Sequence, residues 1–469
     1  MRRARSTGSA TVSALALLAC ASCSRAPDVA LAIRVPADRR LLAGVTRLDL
    51  RAERDGDVLA QQSFDVTAGQ ADYVWLGGVR RGPRTVFTLE GVDAAGDVVG
   101  RGATCPIDFE GPGAPVSLYF APTSAFLPTA GPPVAVRSDP VALALPDGTV
   151  LLASGADPTG RPIASSEIYA PPSGTFAPAA GAGLGLSRPR WRAEVAEVPS
   201  VGALVVGGVD DATGQPVAAA DVYDAAMDQF LPLDNQRLGA RVGHRAVTLP
   251  DGRVLIAGGA GATGAPLASS VFVYLQPDGT ASVSPGPDLA QARREHAAVV
   301  AVGGLPVMIG GYGVDGAPLA SLEVLIGSGT ATFVSAGALQ QPRAEATATL
   351  LDDDTILVVG GMGADGTPRA DAELYNPYSH TTTVLPLGTA RRRHSATPIV
   401  GGRVLIAGGL GADGKPLASA ELYLPGIGFV SERPLGTPRA GHVAVALCDG
   451  TVLVAGGGPG AELYEPPPR

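Results

Sequence analysis

The fold is decided by the stretch Gly401-Gly402-Arg403-Val404-Leu405-Ile406-Ala407-Gly408-Gly409. A loop to Pro416 follows, and after it comes a second run, Leu417-Ala418-Ser419-Ala420-Glu421-Leu422-Tyr423. Short apolar runs rich in β-branched residues, closed by glycines and separated by turn residues, are typical of paired strands. The stretch therefore predicts two neighbouring strands joined by a loop.

The same pattern returns along most of the chain. Its last glycine falls in successive copies at Gly155, Gly208, Gly259, Gly311, Gly361, Gly409 and Gly457. A repeat of about fifty residues that contains only strand and turn signals is typical of a propeller blade and not of a helical solenoid. Seven copies predict an all-β, seven-bladed β-propeller.

The repeat resembles the kelch repeat in three features. An apolar strand ends in paired glycines, a Tyr follows a Glu-apolar step, and an aromatic position comes later in the repeat. That third position holds Phe176, Phe230, Phe333 and Phe429, where kelch repeats usually have Trp. The resemblance covers about three quarters of the chain, and it implies the fold but no particular activity.

The ends of the repeat region predict how the ring closes. We assign the propeller to residues 122–469, in which the seventh repeat stops after its third strand, at Glu462 to Tyr464. The segment from Ser124 to Pro128 matches the fourth strand of the first repeat, Gly174 to Pro178. We therefore expect a strand within residues 123–130 to complete the last blade, because closure removes exposed sheet edges.

A separate domain precedes the propeller. Residues 28–121 show short alternating runs separated by turn residues, without the fifty-residue repeat. This spacing predicts a small immunoglobulin-like β-sandwich. Its expected role is a spacer, with adhesion as the alternative.

The N-terminus has the features of an export signal. Residues 1–19 combine arginines with a short apolar run, and Leu17-Leu18-Ala19 stands directly before Cys20. This motif resembles the lipobox of bacterial lipoproteins, which implies acylation of Cys20, a linker over residues 20–27 and a membrane anchor in the cell envelope. Because Ala21 is not Asp, the resemblance implies the outer membrane; the alternative is an ordinary signal and a periplasmic or extracellular protein.

Composition narrows the classes of partner. The formal net charge is −9 and only 17% of residues are charged, so bulk charge argues against nucleic acid binding. With 63 glycines and 41 prolines, the chain is rich in tight turns. We expect a monomer. The four cysteines are too few for a disulfide framework; Cys23 pairs with Cys105, or the cysteines other than Cys20 remain free thiols.

Arginines recur in the segment that leads into each repeat. Because one stands in every repeat, the first interpretation is structural, with each arginine paired to the carboxylate of the third strand. The alternative is a surface that binds carboxylates or sulfates. Four arginines exceed the repeat, and with two aspartates predicted on the same face they are the candidates for partner binding: Arg192, Arg294, Arg391, Arg392, Asp365 and Asp413.

Histidines also repeat, at His244, His296, His394 and His442. Equivalent positions in different blades spread around a ring, whereas a metal needs ligands that converge at about 2 Å, so a structural role is favoured over metal binding. The residues predict no catalytic group, metal or cofactor. The expected function is thus that of a secreted, lipid-anchored protein that binds a protein or an acidic glycan. The alternative is a carbohydrate-active or galactose-oxidase-like enzyme with a divergent site.

Overall fold

The computed structural model describes residues 29–35, 44–66, 73–111, 115–179, 185–210, 213–233, 236–276, 280–327 and 331–468. The predicted signal, the lipidation site Cys20 and Cys23 lie outside the described residues. Within the described residues, no helix has the length and apolar character needed to cross a bilayer.

The first domain consists of two sheets that enclose one core. Its strands are β1 (Val29–Arg34), β2 (Arg47–Arg54), β3 (Asp57–Asp65), β4 (Tyr73–Leu76), β5 (Gly82–Val92), β6 (Val98–Ala103), β7 (Ile107–Phe109), β8 (Val116–Tyr119) and β9 (Ala121–Pro122). One sheet has the order β4-β1-β8, with β1 and β8 parallel, and the other has the order β3-β2-β5-β6-β9 with β7 beside β5. Leu31, Leu50, Phe87 and Leu118 meet between the two sheets. An immunoglobulin-like topology stays a prediction.

The rest of the described chain forms seven four-stranded antiparallel sheets, which are the seven blades expected from the repeat. Strands run outward from the tunnel in the order A, B, C and D. Blade 1 comprises β11 (Val141–Ala144), β12 (Val150–Ala153), β13 (Glu167–Ala170) and β14 (Thr175–Pro178), and blade 2 comprises β15 (Glu194–Val198), β16 (Gly202–Val206), β17 (Ala220–Asp224) and β18 (Gln229–Leu233). Blade 3 comprises β19 (Arg245–Thr248), β20 (Val254–Ala257), β21 (Ser270–Leu275) and β22 (Ala281–Pro285), and blade 4 comprises β23 (Ala297–Ala301), β24 (Leu305–Ile309), β25 (Ser321–Ile326) and β26 (Thr332–Ala338).

The remaining blades follow the same order. Blade 5 comprises β27 (Thr347–Leu350), β28 (Ile356–Val359), β29 (Asp371–Asn376) and β30 (Thr381–Pro386), and blade 6 comprises β31 (Ser395–Ile399), β32 (Arg403–Ala407), β33 (Ala420–Leu424) and β34 (Gly428–Glu432). Blade 7 comprises β35 (Val443–Ala446), β36 (Val452–Ala455), β37 (Ala461–Glu465) and, from before the propeller, β10 (Ala125–Pro128). Short 3-10 turns occur at Gln236–Leu238 and Val302–Gly304.

The ring closes as the sequence predicts. Strand β10 pairs antiparallel with β37, and Phe126 lies opposite Tyr464. Their ring centroids are 4.8 Å apart. The A strands of neighbouring blades contact each other all the way around, including those of blades 1 and 7. Both ends of the domain therefore share one blade, which leaves the ring without a free edge at its seam.

The paired glycines lie where one blade approaches the next. Gly408 and Gly409, at the end of β32, have φ of 59° and 100°. A Cβ on Gly408 would stand 2.6 Å from the Arg439 carbonyl oxygen and 2.8 Å from the His442 ring of the following blade. Only glycine fits both the left-handed backbone and this contact, so the repeated glycines and the repeated histidines belong to one packing device between blades.

The first domain is attached to the propeller at its seam. Cys105 forms a disulfide with Cys448, which lies in the A-to-B hairpin of blade 7, so the expected Cys23–Cys105 pair is replaced. Arg34 donates to the Pro171 carbonyl at 2.7 Å, and Arg101 pairs with Glu465 at 3.3 Å. The contacts lie at blades 7 and 1, on the face opposite the arginine-bearing segments.

Candidate functional site

Each blade buries one arginine from the segment that enters its A strand, and we call these seven side chains the arginine layer. Among the described residues, six of the seven pair with an acidic residue of strand C. The pairs are Arg137–Glu167, Arg190–Asp221, Arg293–Glu323, Arg343–Glu373, Arg391–Glu421 and Arg439–Glu462, at 2.5 to 3.0 Å. The layer arginines are at most 3% exposed.

Each pair also ties the loops of its blade together. In blade 5, Glu373 accepts main-chain N–H groups of Gln340 and Gln341 at 2.6 and 3.0 Å, while Arg343 donates to the Gly360 carbonyl at 3.0 Å. Both carboxylate oxygens of Glu373 thus accept hydrogen bonds, and Arg343 binds through its terminal nitrogens, which offsets the cost of burying the two charges. The structural interpretation accounts for this layer, and it removes Arg391 from the candidates for partner binding, because its side chain is fully buried against Glu421.

Blade 3 lacks the acidic residue with which the layer arginine pairs in the other blades. Val271 stands at the position of the acid in strand C, and Arg241 donates only to neutral oxygens, among them the carbonyls of Gly258 and Ser269 at 3.2 Å. Burial without a carboxylate partner lowers the pKa of Arg241 to about 10.

Two residues beyond each layer arginine the chain reaches the wall of the tunnel, and we call these seven positions the tunnel ring. The members in blade order are Asp139, Arg192, Gly243, Glu295, Glu345, Arg393 and Gly441. All seven have a left-handed backbone, with φ between 47° and 64°. Main-chain hydrogen bonds join neighbours: the Glu345 N–H donates to the Glu295 carbonyl, and the Asp139 N–H donates to the Gly441 carbonyl across the seam, both at 2.9 Å.

The charged members of the ring pair with each other over the glycines. Arg192 binds Glu295 past Gly243, and Arg393 binds Asp139 past Gly441. A Cβ on Gly243 would stand 2.5 Å from the Glu295 carboxylate. The two glycines therefore leave the space through which the arginines reach their partners.

Two further ion pairs lie beside the ring. Arg392 binds Glu345, whose carboxylate also accepts the Tyr312 hydroxyl at 3.4 Å. Arg245 binds Glu194, both at the first residue of their A strands. Burial raises the pKa of the Glu194 carboxyl, and Arg245 partly offsets this shift.

These groups enclose a cavity of about 200 Å³ at the tunnel mouth. Its charged groups are 15 to 34% exposed, so they reach any molecule that enters. Four carboxylates and three guanidinium groups line the cavity, and Arg392 binds the carboxylate of Glu345 from outside the lining. Outside the lining, Arg192 lies over the Trp191 ring and Arg294 over the Tyr312 ring, at 5.8 and 4.9 Å from the ring centroids.

Backbone strain points to this ring. A side chain in the left-handed region costs on the order of 1 kcal/mol relative to glycine. Glycine occupies two ring positions, yet five hold charged residues. Such strained residues concentrate at active and binding sites, where the side chain is kept despite its backbone.

The structure places the residues predicted from the sequence to bind a partner in different surroundings. Arg192 lies in the ring, Arg392 pairs with Glu345, and Arg294 lies on Tyr312. Asp365 and Asp413 are exposed and accept main-chain N–H groups of their own turns, from Thr367 and Lys415 at 3.0 Å.

Four members of the ring escaped the sequence analysis: Asp139, Glu295, Glu345 and Arg393. A usable signal was present, because these residues align with Gly243 and Gly441 of other repeats. When one repeat has a charged residue where another repeat has glycine, the position is expected to have a left-handed backbone. The charged side chain is then kept for a role other than backbone geometry.

Two of the repeated histidines, His394 and His442, line the cavity, and His244 and His296 lie outside its lining. The Nε2 atoms of His394 and His442 each form a hydrogen bond of 2.9 Å with a hydroxyl group of the preceding blade. The hydroxyls belong to Thr347 and Ser395, respectively. Burial lowers the pKa of His442 to about 3, so its ring is neutral near pH 7. This arrangement agrees with packing between blades.

Two solved structures share the propeller. YjhT, a kelch-type propeller, is 14% identical, with a TM-score of 0.51 over 64% of this chain and 99% of YjhT. A fungal alcohol oxidase of the AA5 family, in complex with copper, is 17% identical, with a TM-score of 0.56 over 73% of this chain and 76% of the oxidase. Neither a protein-family model nor a curated protein matches the chain.

The oxidase comparison contradicts the prediction of a secreted binding protein that is not an enzyme. It favours the alternative of a carbohydrate-active or galactose-oxidase-like enzyme. At these identities the likeness establishes the fold, a kelch-like propeller, so the chemistry has to be argued from the cavity itself.

Copper in the oxidase raises the question of whether this chain has residues that fit the metal. Within the described residues, no three His, Cys, Asp or Glu side chains form a group that could hold a metal ion. Cys105 and Cys448 are joined to each other, and the His394 and His442 rings are engaged with hydroxyls. The described residues therefore do not fit a copper centre, and no step is derived through copper.

Proposed function

We propose that this protein is an enzyme that acts on a carbohydrate in the tunnel-mouth cavity by acid–base chemistry. The observation that carries the proposal is the tunnel ring, in which five charged residues occupy left-handed positions that glycine would fill at lower cost. The proposal keeps the carbohydrate-active form of the sequence alternative and leaves out its copper form.

The lining favours a neutral, hydroxyl-rich ligand. Guanidinium and carboxylate groups bind neighbouring hydroxyls in pairs, and each guanidinium of the cavity lining is already bound to a carboxylate, so a strongly charged ligand gains little from the site as a whole.

Two carboxyl groups have environments suited to opposite roles. Burial raises the pKa of Glu194, which favours a protonated carboxyl and a role as proton donor. Glu345 binds Arg392 and accepts a hydrogen bond from the Tyr312 hydroxyl, and these contacts orient its carboxylate for a role as proton acceptor. With a sugar bound, Glu194 would give a proton to the oxygen that leaves C1 as the C1–O bond breaks. Glu345 would take a proton from the oxygen that replaces that bond: the anomeric hydroxyl, which becomes the carbonyl when the ring opens, or a water that adds to C1 in hydrolysis. Arg192 and Arg393 would orient the hydroxyls.

The test is a screen of neutral mono- and disaccharides for conversion by the wild type, with products separated by chromatography. We expect one sugar class to be converted, and Glu194→Gln and Glu345→Gln to lower kcat by roughly 100-fold or more. Asp413→Asn is the matched control, since Asp413 is an exposed acid of the same face that holds its own turn. Equal rates in all three variants, or conversion of no sugar, would overturn the proposal.

The cell envelope remains the proposed location, supported by the basic and apolar pattern of residues 1–19 and by Cys20. Radiolabelled palmitate should enter the wild type expressed in a Gram-negative host and should not enter a Cys20→Ala variant. Equal labelling of both would refute acylation at Cys20.

A further inference from the structure

The tunnel continues below the charged cavity into a second cavity of about 460 Å³. The two cavities share the same strands. Glu194 and Thr347 line the upper cavity, and the residues that follow them, Val195 and Ala348, line the lower one. One residue along a strand is a step of about 3.3 Å, so the cavities are neighbours along the tunnel axis.

The wall changes from charged to aliphatic at this step. The lower cavity is lined by half-buried residues that include Leu143, Val195, Val247, Ala298, Val300 and Leu350. Glu197 is the one charged residue in the described lining. Apolar surface that stays open inside a concave site is the usual sign of a ligand-binding wall, because water gains little from it.

We infer that the substrate is an amphiphile: a carbohydrate that carries an alkyl or acyl chain, with the sugar at the tunnel ring and the chain in the lower cavity. This inference rests on the proposed function for the position of the sugar, and it adds the class of substrate. A polar cavity directly above an apolar one matches a molecule with one polar and one apolar end, whereas a free sugar would use only the upper cavity.

The side chains at the boundary between the two cavities differ in size around the wall. Arg245 and Glu194 occupy the wall on the side of blades 2 and 3. At the same level on the side of blade 5 the wall carries Thr347, a much smaller side chain. The chain therefore passes on the blade 5 side, next to Ala348.

The test compares methyl and n-octyl β-glycosides of glucose and of galactose, by calorimetry below the concentration at which the octyl compounds form micelles. Each methylene that is fully buried strengthens binding about fourfold, so an octyl glycoside should bind at least ~30-fold more tightly than its methyl partner. Equal affinities of methyl and octyl compounds would overturn the inference.

A blocked tunnel makes the test specific. Ala298→Phe fills the lower cavity and should remove the octyl advantage while leaving the affinity for methyl glycosides within twofold. Ala144→Phe is the matched control, because Ala144 is an exposed residue of β11 outside the cavity lining and should keep the advantage. An octyl advantage that survives Ala298→Phe, in a variant with wild-type Tm, would place the chain elsewhere and overturn the inference.

The two proposals fail in different ways. If n-octanol binds and Ala298→Phe abolishes that binding while no glycoside or free sugar is recognised, the lower cavity stands as a chain site and the carbohydrate function falls. If free sugars are converted at the same rate as octyl glycosides, the carbohydrate function stands and the chain inference falls.

Discussion

The arginine layer and the tunnel ring lie two residues apart on the same segment of every blade, yet they follow opposite rules. In the layer the residue is always Arg, and among the described residues it pairs with an acid of strand C in six of the seven blades. In the ring the backbone is always left-handed, while the side chain varies between Asp, Arg, Gly and Glu. Constant chemistry marks the part that holds each blade together, and variable chemistry on a constant backbone marks the part that we propose meets a ligand.

The largest expected effect breaks a layer pair. Arg343→Met leaves Glu373 buried and uncompensated, which should lower the free energy of unfolding by about 3–5 kcal/mol in urea titration. Arg241→Met is the matched change in blade 3, where no carboxylate is left behind, and it should cost at least ~2 kcal/mol less. Equal costs would mean that the carboxylate is not what distinguishes the six paired blades.

The next effect compares two buried acids of β37. Glu462 has Arg439 and two main-chain N–H donors, whereas Glu465 has Arg101, and its Oε2 has no hydrogen-bond partner among the described residues. Burial raises the pKa of Glu465 to about 8; Arg101 opposes the shift and Asp449 adds to it.

A folded-state pKa above the unfolded value means that stability is complete below the unfolded pKa, near 4.3, and is lost as pH rises through about 8. The free energy of unfolding should therefore fall with pH between 5 and 8, by up to ~1.4 kcal/mol per pH unit. Glu465→Gln should flatten this slope, as measured by urea titration at several pH values. A slope that persists in Glu465→Gln would assign it to other groups, first of all Asp449, whose pKa burial also raises.

The smallest stability effect is expected in the ring. Glu295→Gly removes a partly exposed ion pair and also relieves a left-handed side chain, so the free energy of unfolding should stay within ~1 kcal/mol of the wild type. Conversion of the sugar substrate should nevertheless fall sharply. A loss of stability comparable to that of Arg343→Met would make the ring a structural feature and would cancel the comparison.

Much of the fold could be predicted from local pattern. The fifty-residue period gave the blade number, and the match of Ser124–Pro128 to a D strand gave the closure through β10. Both depend on strand and turn signals that act over a few residues, which a sequence displays directly.

The candidate site was harder to predict because neighbouring residues have different surroundings. Arg391, Arg392 and Arg393 are identical in sequence, yet the first is buried against Glu421, the second binds Glu345 and the third binds Asp139 across the tunnel. Their destinations depend on the left-handed turn at Arg393, which redirects the chain as it enters β31. Because the sequence does not display that backbone conformation, it does not distinguish the three arginines.

The sequence by itself determined the repeat, the number of blades, the strand that closes the ring and the structural pairing of most layer arginines, because each follows from residue types at fixed spacing. The tertiary structure decided which charged residues face the tunnel, which cysteines pair and where the wall turns from charged to aliphatic. Those outcomes depend on residues far apart in the chain, such as Arg192 and Glu295 or Cys105 and Cys448, meeting only after the sheets have closed into a circle.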